Sequence, residues 1–199
     1  MAGKREEMRD DLRKRLIDAA EARIVSQGLD GLKAREVTAD AGCALGALYN
    51  AFEDLDRLVL HVNSRSLARL GEALAAAVPE GAAPREVLLA LAQGYVDFAL
   101  ANYQLWSAMF NHRLPEGVAA PEWHREEHRV LIAQIIKPLS LMRPDLAPAD
   151  LVRRAKTVFA AVHGVVYLGL TARFVGTPSD VLPAEVRALV EAMTRGLAR

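Results

Sequence analysis

The chain has 199 residues, 52% of them apolar and 25% charged, and its 25 basic side chains balance 25 acidic ones. This composition is typical of a folded globular protein and excludes a disordered one. The single cysteine, Cys43, excludes a disulfide framework, and the charge-rich N-terminus excludes a secretory signal. Because the longest uncharged segment, 157–172, is too short for a membrane span, we expect a cytoplasmic protein of one or two domains with no membrane partner.

Apolar residues recur at spacings of three and four along almost the entire chain, which predicts an all-α protein. Before the Pro-Glu-Gly sequence at 79–81, we expect helices at about 8–27, 35–41, 45–52 and 54–78. Beyond it, prolines stand where they suit a first helical turn, and we expect helices at about 84–101, 103–113, 121–143, 148–175 and 183–198. Pro138 should kink the helix at 121–143, because proline has no N–H for the helical hydrogen bond.

Residues 33–52, KAREVTADAGCALGALYNAF, contain two short helices joined by a turn with glycine. This pattern predicts a helix-turn-helix, in which the first helix supports the second and the second enters the major groove of DNA. Helical spacing turns Leu48 and Phe52 inward. The DNA-binding residues that we expect on the two helices are Lys33, Arg35, Thr38, Leu45, Gly46, Ala47, Tyr49 and Asn50.

The order of these features resembles the TetR family of bacterial transcription regulators. The resemblance covers about residues 10–70 and is carried by Gly28-Leu29, Arg35-Glu36-Val37, Ala41-Gly42, Gly46-Ala47-Leu48-Tyr49, Phe52 and Leu58. It implies a homodimer with a three-helix DNA-binding domain at 8–56 and a helical ligand-binding and dimerisation domain at 57–199. Many members are repressors that a small molecule releases from double-stranded operator DNA.

Several positions depart from the family pattern. Ala44 stands where members commonly carry a hydroxyl residue, so the second helix loses a side-chain N-cap. Residues 1–60 carry 10 basic and 12 acidic side chains, a net charge of −2, whereas a DNA reader usually has a basic face. That face would have to come from Lys33, Arg35 and the six basic residues between positions 4 and 15. The alternative is a helical ligand-binding or interaction protein that has lost DNA binding.

A second resemblance lies in the C-terminal part. A TetR subgroup carries Trp-x-x-x-His-Gly, and this chain has Phe159 followed by His163-Gly164. Aromatic residues and methionine recur nearby at helical spacing, a pattern that fits either a packed core or the mainly apolar wall of a ligand cavity. The candidate ligand residues are Tyr95, Phe98, Trp106, Met109, Phe110, His163 and Tyr167. They favour a small effector that is mainly apolar or aromatic.

The remaining reactive residues have ordinary interpretations. His124 and His128 are four residues apart, a spacing that can bind a metal, but the surrounding WHREEHR sequence is typical of a solvated face. Cys43 is expected to pack beside the core. Since no nucleophile–base pair or cofactor motif is found, we expect no enzyme activity, no metal and no cofactor. The helix at 148–175 is apolar nearly all round from Val158 onward, which favours a partner subunit as its cover.

Overall fold

The structure is a computed structural model that describes residues 2–171 and 176–195. These residues form nine α-helices and one 3₁₀-helix, without a β-strand, which confirms the all-α prediction. The α-helices are α1 (Ala2–Gln27), α2 (Ala34–Asp40), α3 (Leu45–Phe52), α4 (Leu55–Ala77), α5 (Pro84–Ala101), α6 (Tyr103–Asn111), α7 (Glu122–Met142), α8 (Pro148–Leu170) and α9 (Leu182–Arg195). The 3₁₀-helix, Leu29–Gly31, was not predicted.

Local sequence explains several of the helix ends. Gly28 and Gly42 follow α1 and α2 with φ angles of 74° and 63°, the left-handed region that glycine adopts most readily. Pro84 and Pro148 occupy the first turn of α5 and α8, where a missing N–H costs no helical bond. Pro138 lies inside α7. The predicted ends of the helices at 148–175 and 183–198 fall partly outside the described residues.

The chain divides into two compact units. The first comprises Met1–Ala68 and Gln104–His124, and the second comprises Arg69–Tyr103 and Arg125–Arg199. The first unit therefore contains the helix-turn-helix together with the first part of α4 and most of α6. The predicted domain boundary between residues 56 and 57 stays a prediction.

The first unit has its own apolar core, which fixes α1, α2 and α3 relative to one another. Its buried side chains include Leu16, Ala20 and Ile24 of α1, Val37 of α2, Leu48 and Phe52 of α3, and Leu58 and Val62 of α4. Burial of these apolar side chains is the main favourable contribution to the free energy of folding this unit. Cys43 is partly buried against this core, as expected.

In the second unit, α5 packs against α9, and α8 packs against both. The buried faces are supplied by Leu88, Leu91, Tyr95 and Val96 of α5, by Val158, Val162 and Val166 of α8, and by Val186 and Val190 of α9. None of the helices in the described ranges is long and apolar enough to cross a membrane.

Candidate DNA-binding and ligand-binding sites

α3 has one buried face and one exposed face. Leu48 and Phe52 lie in the core of the first unit, whereas Leu45, Gly46, Tyr49 and Asn50 are exposed and Ala47 is half-buried. The side chain of Tyr49 is 48% exposed. A Cβ atom added at Gly46 would meet nothing within 4 Å, so this surface is open to a close approach. The exposed face offers a hydroxyl, an amide and accessible backbone, groups that suit phosphates and base edges.

The supporting helix α2 matches the predicted DNA contacts only in part. Lys33 and Arg35 are exposed, and Lys33 Nζ lies 3.6 Å from a carboxylate oxygen of Glu36. Thr38, by contrast, is only 3% exposed, and its hydroxyl lies 3.0 Å from the carbonyls of Ala34 and Arg35. A buried hydroxyl that bonds to its own helix stabilises α2 and does not reach DNA. This placement corrects the prediction of Thr38 as a DNA contact.

Arg13 of α1 anchors the C-terminal end of α3. Its guanidinium donates a hydrogen bond to the carbonyl of Ala51 and lies 4.2 Å from the centroid of the Phe52 ring. A second guanidinium nitrogen is 3.1 Å from Nε2 of His61 on α4. The last carbonyls of a helix have no partner within it, so this contact satisfies one of them and fixes where α3 ends. No pattern in the sequence indicates this role.

Two other arginines have similar internal roles. Arg15 of α1 donates to the carbonyl of Ala41, just after α2, and its Nε lies 3.0 Å from Asp11. Arg23 donates to Glu36 and to Asp40, which lie on α2. These bonds raise the pKa of the Arg23 guanidinium, chiefly through the hydrogen bond to Asp40.

Two of the six basic residues of the N-terminal arm therefore have internal hydrogen bonds. Arg13 and Arg15 brace the ends of α3 and α2. The arm residues that remain exposed without such a role are Lys4, Arg5, Arg9 and Lys14. Because α1 begins at Ala2, they lie on a helix.

A tight turn separates α3 from α4. Glu53 has φ 69° and ψ −52°, and the N–H of Asp54 lies 2.8 Å from the carbonyl of Phe52, the geometry of a strained γ-turn. Asp54 then caps α4, because one carboxylate oxygen lies 2.6 Å from the backbone nitrogen of Arg57. Among the described residues, Glu53 is the sole non-glycine residue with a positive φ. The end of α3 is therefore fixed by the Arg13 contact and by the tight turn into α4.

The second unit contains a small cavity of about 50 Å³. Most of its lining side chains are aliphatic, with Tyr95 and Gln134 as polar members. The lining residues are Leu70, Leu74, Leu88, Leu91, Ala92, Tyr95, Leu131, Ile132, Gln134, Ile135, Val158, Phe159, Val162 and Val190. A cavity of this size could hold a few water molecules, since one needs about 10–15 Å³, but it is smaller than the roughly 300–1,000 Å³ of small-molecule sites. A larger ligand therefore needs movement of the wall.

One residue of this lining, Tyr95, forms a hydrogen bond with His163, which does not line the cavity. The Tyr95 hydroxyl is 2.7 Å from Nδ1 of His163, and the Phe159 ring stacks on the imidazole with centroids 5.5 Å apart. Burial lowers the pKa of His163 below its usual value of 6.5. The imidazole is therefore neutral at pH 7, and its tautomer decides whether it accepts from or donates to the hydroxyl.

Comparisons with known proteins place the chain in a family. A family model described as "Tetracyclin repressor-like, C-terminal domain" matches residues 88–197, more than half of the chain. The chain belongs to the TetR family. No curated protein sequence matches it.

Solved structures agree with this TetR assignment. A protein of unknown function from Rhodococcus sp. RHA1 is 29% identical, with a TM-score of 0.74 over 94% of this chain and 96% of that one. The RolR protein, solved in complex with resorcinol, is 22% identical, with a TM-score of 0.68 over 97% and 95%. The TetR-family regulator PfmR from Thermus thermophilus is 17% identical, with a TM-score of 0.61 over 93% and 100%. The last two, at these identities, show the shared fold.

The predicted ligand residues of this TetR-family chain fall in both units. Tyr95, Phe98, His163 and Tyr167 lie in the second unit, where the His163 and Tyr167 rings have centroids 5.9 Å apart. Trp106, Met109 and Phe110 lie in the first unit, where Trp106 is fully buried and its ring centroid is 5.5 Å from that of Phe110. Of the seven, only Tyr95 is among the described residues that line the cavity.

Sequence reasoning missed the wall that α7 supplies. Leu131, Ile132 and Ile135 line the cavity, and Gln134 interrupts this apolar run. A single polar residue within an apolar run was the one sequence feature that could have indicated a cavity wall here. The Trp-x-x-x-His-Gly subgroup stays a prediction, although Phe159, at the tryptophan position of the motif, does line the cavity.

The histidines of α7 are less solvated than expected. His124 is only 7% exposed and its ring packs edge-on against Trp123. His128 is half-buried, and burial lowers its pKa below 6.5. Within residues 2–171 and 176–195, no group of three or more His, Cys, Asp or Glu side chains could hold a metal ion. The solvated face predicted for this segment is therefore wrong at His124.

Proposed function

We propose that this TetR-family chain is a transcriptional regulator that binds double-stranded operator DNA as a homodimer. The observation that carries the proposal is the exposed face of α3, held in place by a buried face and by Arg13. The proposed DNA contacts are Lys33, Arg35, Leu45, Gly46, Ala47, Tyr49 and Asn50. Arg35 and Tyr49 would contact phosphates, and the amide of Asn50 would approach the bases.

The homodimer is proposed on the apolar surface that α8 and α9 leave half-exposed. Val165 and Leu168 of α8 and Leu189 and Met193 of α9 are half-buried in the single chain. A second copy would cover them by an isologous contact, the commonest arrangement in soluble oligomers. Two recognition helices would then bind two half-sites of a palindromic operator.

We further propose that the chain is a repressor and that a small, mainly apolar or aromatic ligand releases it from DNA. The ligand would bind in the second unit, between the apolar wall and the Tyr95–His163 pair. The fold neighbour RolR was solved with the aromatic compound resorcinol. Release requires that the ligand favour a conformation that binds DNA less well. No cofactor and no catalytic step is proposed.

A gel-shift assay with the DNA upstream of the chain's own gene tests the DNA-binding part. We expect a shift at protein concentrations that leave an unrelated fragment of equal length unbound. Because Tyr49 is proposed to contact a phosphate, Tyr49→Ala should weaken binding to the upstream fragment and, at higher protein concentrations, to the unrelated fragment as well. Equal affinity for the two fragments would contradict a specific regulator.

A second candidate function is a helical ligand-binding protein without DNA binding. The observation that favours it is the internal use of Arg13, Arg15 and Arg23, which reduces the basic surface of a unit that is already net acidic. This candidate predicts ligand binding by calorimetry together with no shift of any fragment at low salt. Strong salt-dependent binding to DNA would reject it.

A further inference from the structure

The second unit also contains an open cleft of about 550 Å³. It lies between the end of α4, the start of α5 and the second half of α7. Its lining residues are Ala75, Val78, Pro79, Gly81, Ala82, Pro84, Val87, Leu91, Gln134, Lys137, Pro138 and Leu141. This volume is within the range of small-molecule sites, about 300–1,000 Å³, whereas the cavity of about 50 Å³ is below it.

The cleft and the small cavity share two wall residues, Leu91 of α5 and Gln134 of α7. The two spaces therefore adjoin at these side chains, with the ligand-sized cleft on one side and the apolar cavity on the other. α7 continues through this place but lacks a hydrogen bond there, because Pro138 has no N–H to donate to the carbonyl of Gln134, four residues earlier. The missing helical bond lowers the cost of moving this turn of α7.

The cleft has a mostly apolar lining with one charged side chain. Among the described residues that line it, Lys137 alone carries a charge, and Gln134 is the other polar side chain. The rest of the lining is apolar, and Leu141 at the rim is 66% exposed, an unusual exposure for a leucine. An occupant that matches this surface has an apolar body and one negative group.

We propose that this cleft is the entrance to the ligand site and that Lys137 selects an amphipathic carboxylate. The carboxylate would lie at the Lys137 ammonium, and the aliphatic or aryl-alkyl body would fill the cleft and pass between Leu91 and Gln134 towards Tyr95. This inference rests on the proposed ligand-responsive function and adds a ligand class and a route to it. Most of the affinity comes from burial of the apolar body, while the ammonium supplies discrimination between head groups.

Isothermal titration calorimetry with three eight-carbon probes tests the selection: octanoate, octan-1-ol and octylammonium. The wild-type chain should bind octanoate most tightly and octylammonium most weakly. In Lys137→Met, the advantage of octanoate over octan-1-ol should disappear, a loss of about fivefold for an exposed ion pair. In Lys137→Glu, the order of octanoate and octylammonium should reverse. The matched control is Lys156→Met, which removes an exposed lysine of α8 outside the cleft lining.

Entry of the ligand through the cleft is tested by a separate variant. Ala82 is half-buried and lines the cleft but not the small cavity, so Ala82→Trp should fill the cleft and weaken the binding of all three probes about tenfold or more. Circular dichroism must show unchanged helix content in that variant, and Ala82→Leu provides a smaller obstruction if it does not. Unchanged octanoate affinity in both Ala82 variants, an unchanged head-group preference in Lys137→Met, or no binding of any probe to the wild-type chain would overturn the proposal.

The failure of this inference is distinguishable from failure of the proposed function. Operator binding is measured by gel shift on the same preparations without any probe. If DNA binding is specific but Lys137→Met behaves as wild type, the carboxylate assignment alone is wrong. If the probes bind as expected and no DNA is bound, the regulatory function alone is wrong.

Discussion

Arg13 supports the proposed DNA-binding surface without being part of it. Its guanidinium satisfies the Ala51 carbonyl, covers the Phe52 ring and contacts His61, so it joins α1, α3 and α4. Sequence counting assigned Arg13 to a basic arm, because counting registers charge and cannot register the direction of a side chain. The same limit explains Thr38, whose hydroxyl bonds to its own helix.

We expect Arg13→Met to lower the free energy of unfolding by about 1–2 kcal/mol, because it leaves a carbonyl unsatisfied and removes a cation–π contact. The neighbouring exposed Lys14 provides the control, since Lys14→Met removes the same charge without these contacts. Urea denaturation of both variants measures the difference. Equal midpoints for the two variants would show that Arg13 has no anchoring role.

His163 gives the stability a pH dependence. Burial lowers its folded-state pKa below 6.5, so the unfolded chain binds a proton first as the pH falls. The contribution of a neutral His163 is complete above pH 6.5 and is lost progressively below it. Urea midpoints at pH 7.5 and 5.5 should therefore differ less in His163→Gln than in wild type. The half-buried His128 shifts in the same direction, so part of the dependence should remain. An identical dependence in both proteins would reject the assignment.

Local signals explain only some of the helix bounds that were predicted correctly. α5 has the predicted bounds, and Pro84 in its first turn marks the start. α3 also has the predicted bounds, although Ala44 provides no side-chain N-cap and the sequence does not reveal the contacts that fix its end. α1 begins at Ala2 instead of about residue 8, because its first turns are charged and exposed, and apolar spacing does not reveal a solvated helix. α6 was recognised as a helix, but periodicity identifies a buried face without its partner, so the placement of Trp106 in the first unit could not be predicted.

The N-terminus of α3 lacks a side-chain cap, which a substitution can supply. Ala44 is the N-cap residue and makes no side-chain cap bond. Ala44→Ser should raise the free energy of unfolding by about 1 kcal/mol, because its hydroxyl can accept a bond from a free N–H of the first turn. Ala44→Val is the matched control, since valine caps no better than alanine. Chemical denaturation compares the three proteins. A serine variant no more stable than the valine variant would contradict the cap geometry.

In the whole molecule, the two proposed sites fall in different compact units. The first presents the exposed face of α3, and the second contains the apolar cavity and the cleft. Both α4 and α7 contain residues of each unit. A TetR-family regulator needs these two functions in one chain, and the sequence predicted both through the family resemblance. The cavity wall itself required the structure, because α7 contributes it from a segment without a distinctive motif.

The proposed homodimer can be tested at the half-exposed apolar face of α8 and α9. Replacing Leu189 and Met193 with glutamate should give monomers or insoluble protein, because two charges would have to be buried in the α8–α9 interface. Leu141→Glu, an equally apolar but highly exposed position outside that face, is the control. Sedimentation velocity reports the mass. An unchanged dimer in the double variant would place the interface elsewhere.

If the exposed face of α3 reads DNA sequence, as we propose, Asn50→Ala should lose affinity for operator DNA and not for unrelated DNA. Fluorescence anisotropy with both DNAs measures the two affinities. Loss of a base contact costs about 1–3 kcal/mol of discrimination. We therefore predict a fall in operator affinity of roughly fivefold to 100-fold, little change on unrelated DNA, and wild-type behaviour of the amide control Gln93→Ala on α5. Wild-type operator affinity in Asn50→Ala, or an equal loss on both DNAs, would contradict sequence reading by this residue.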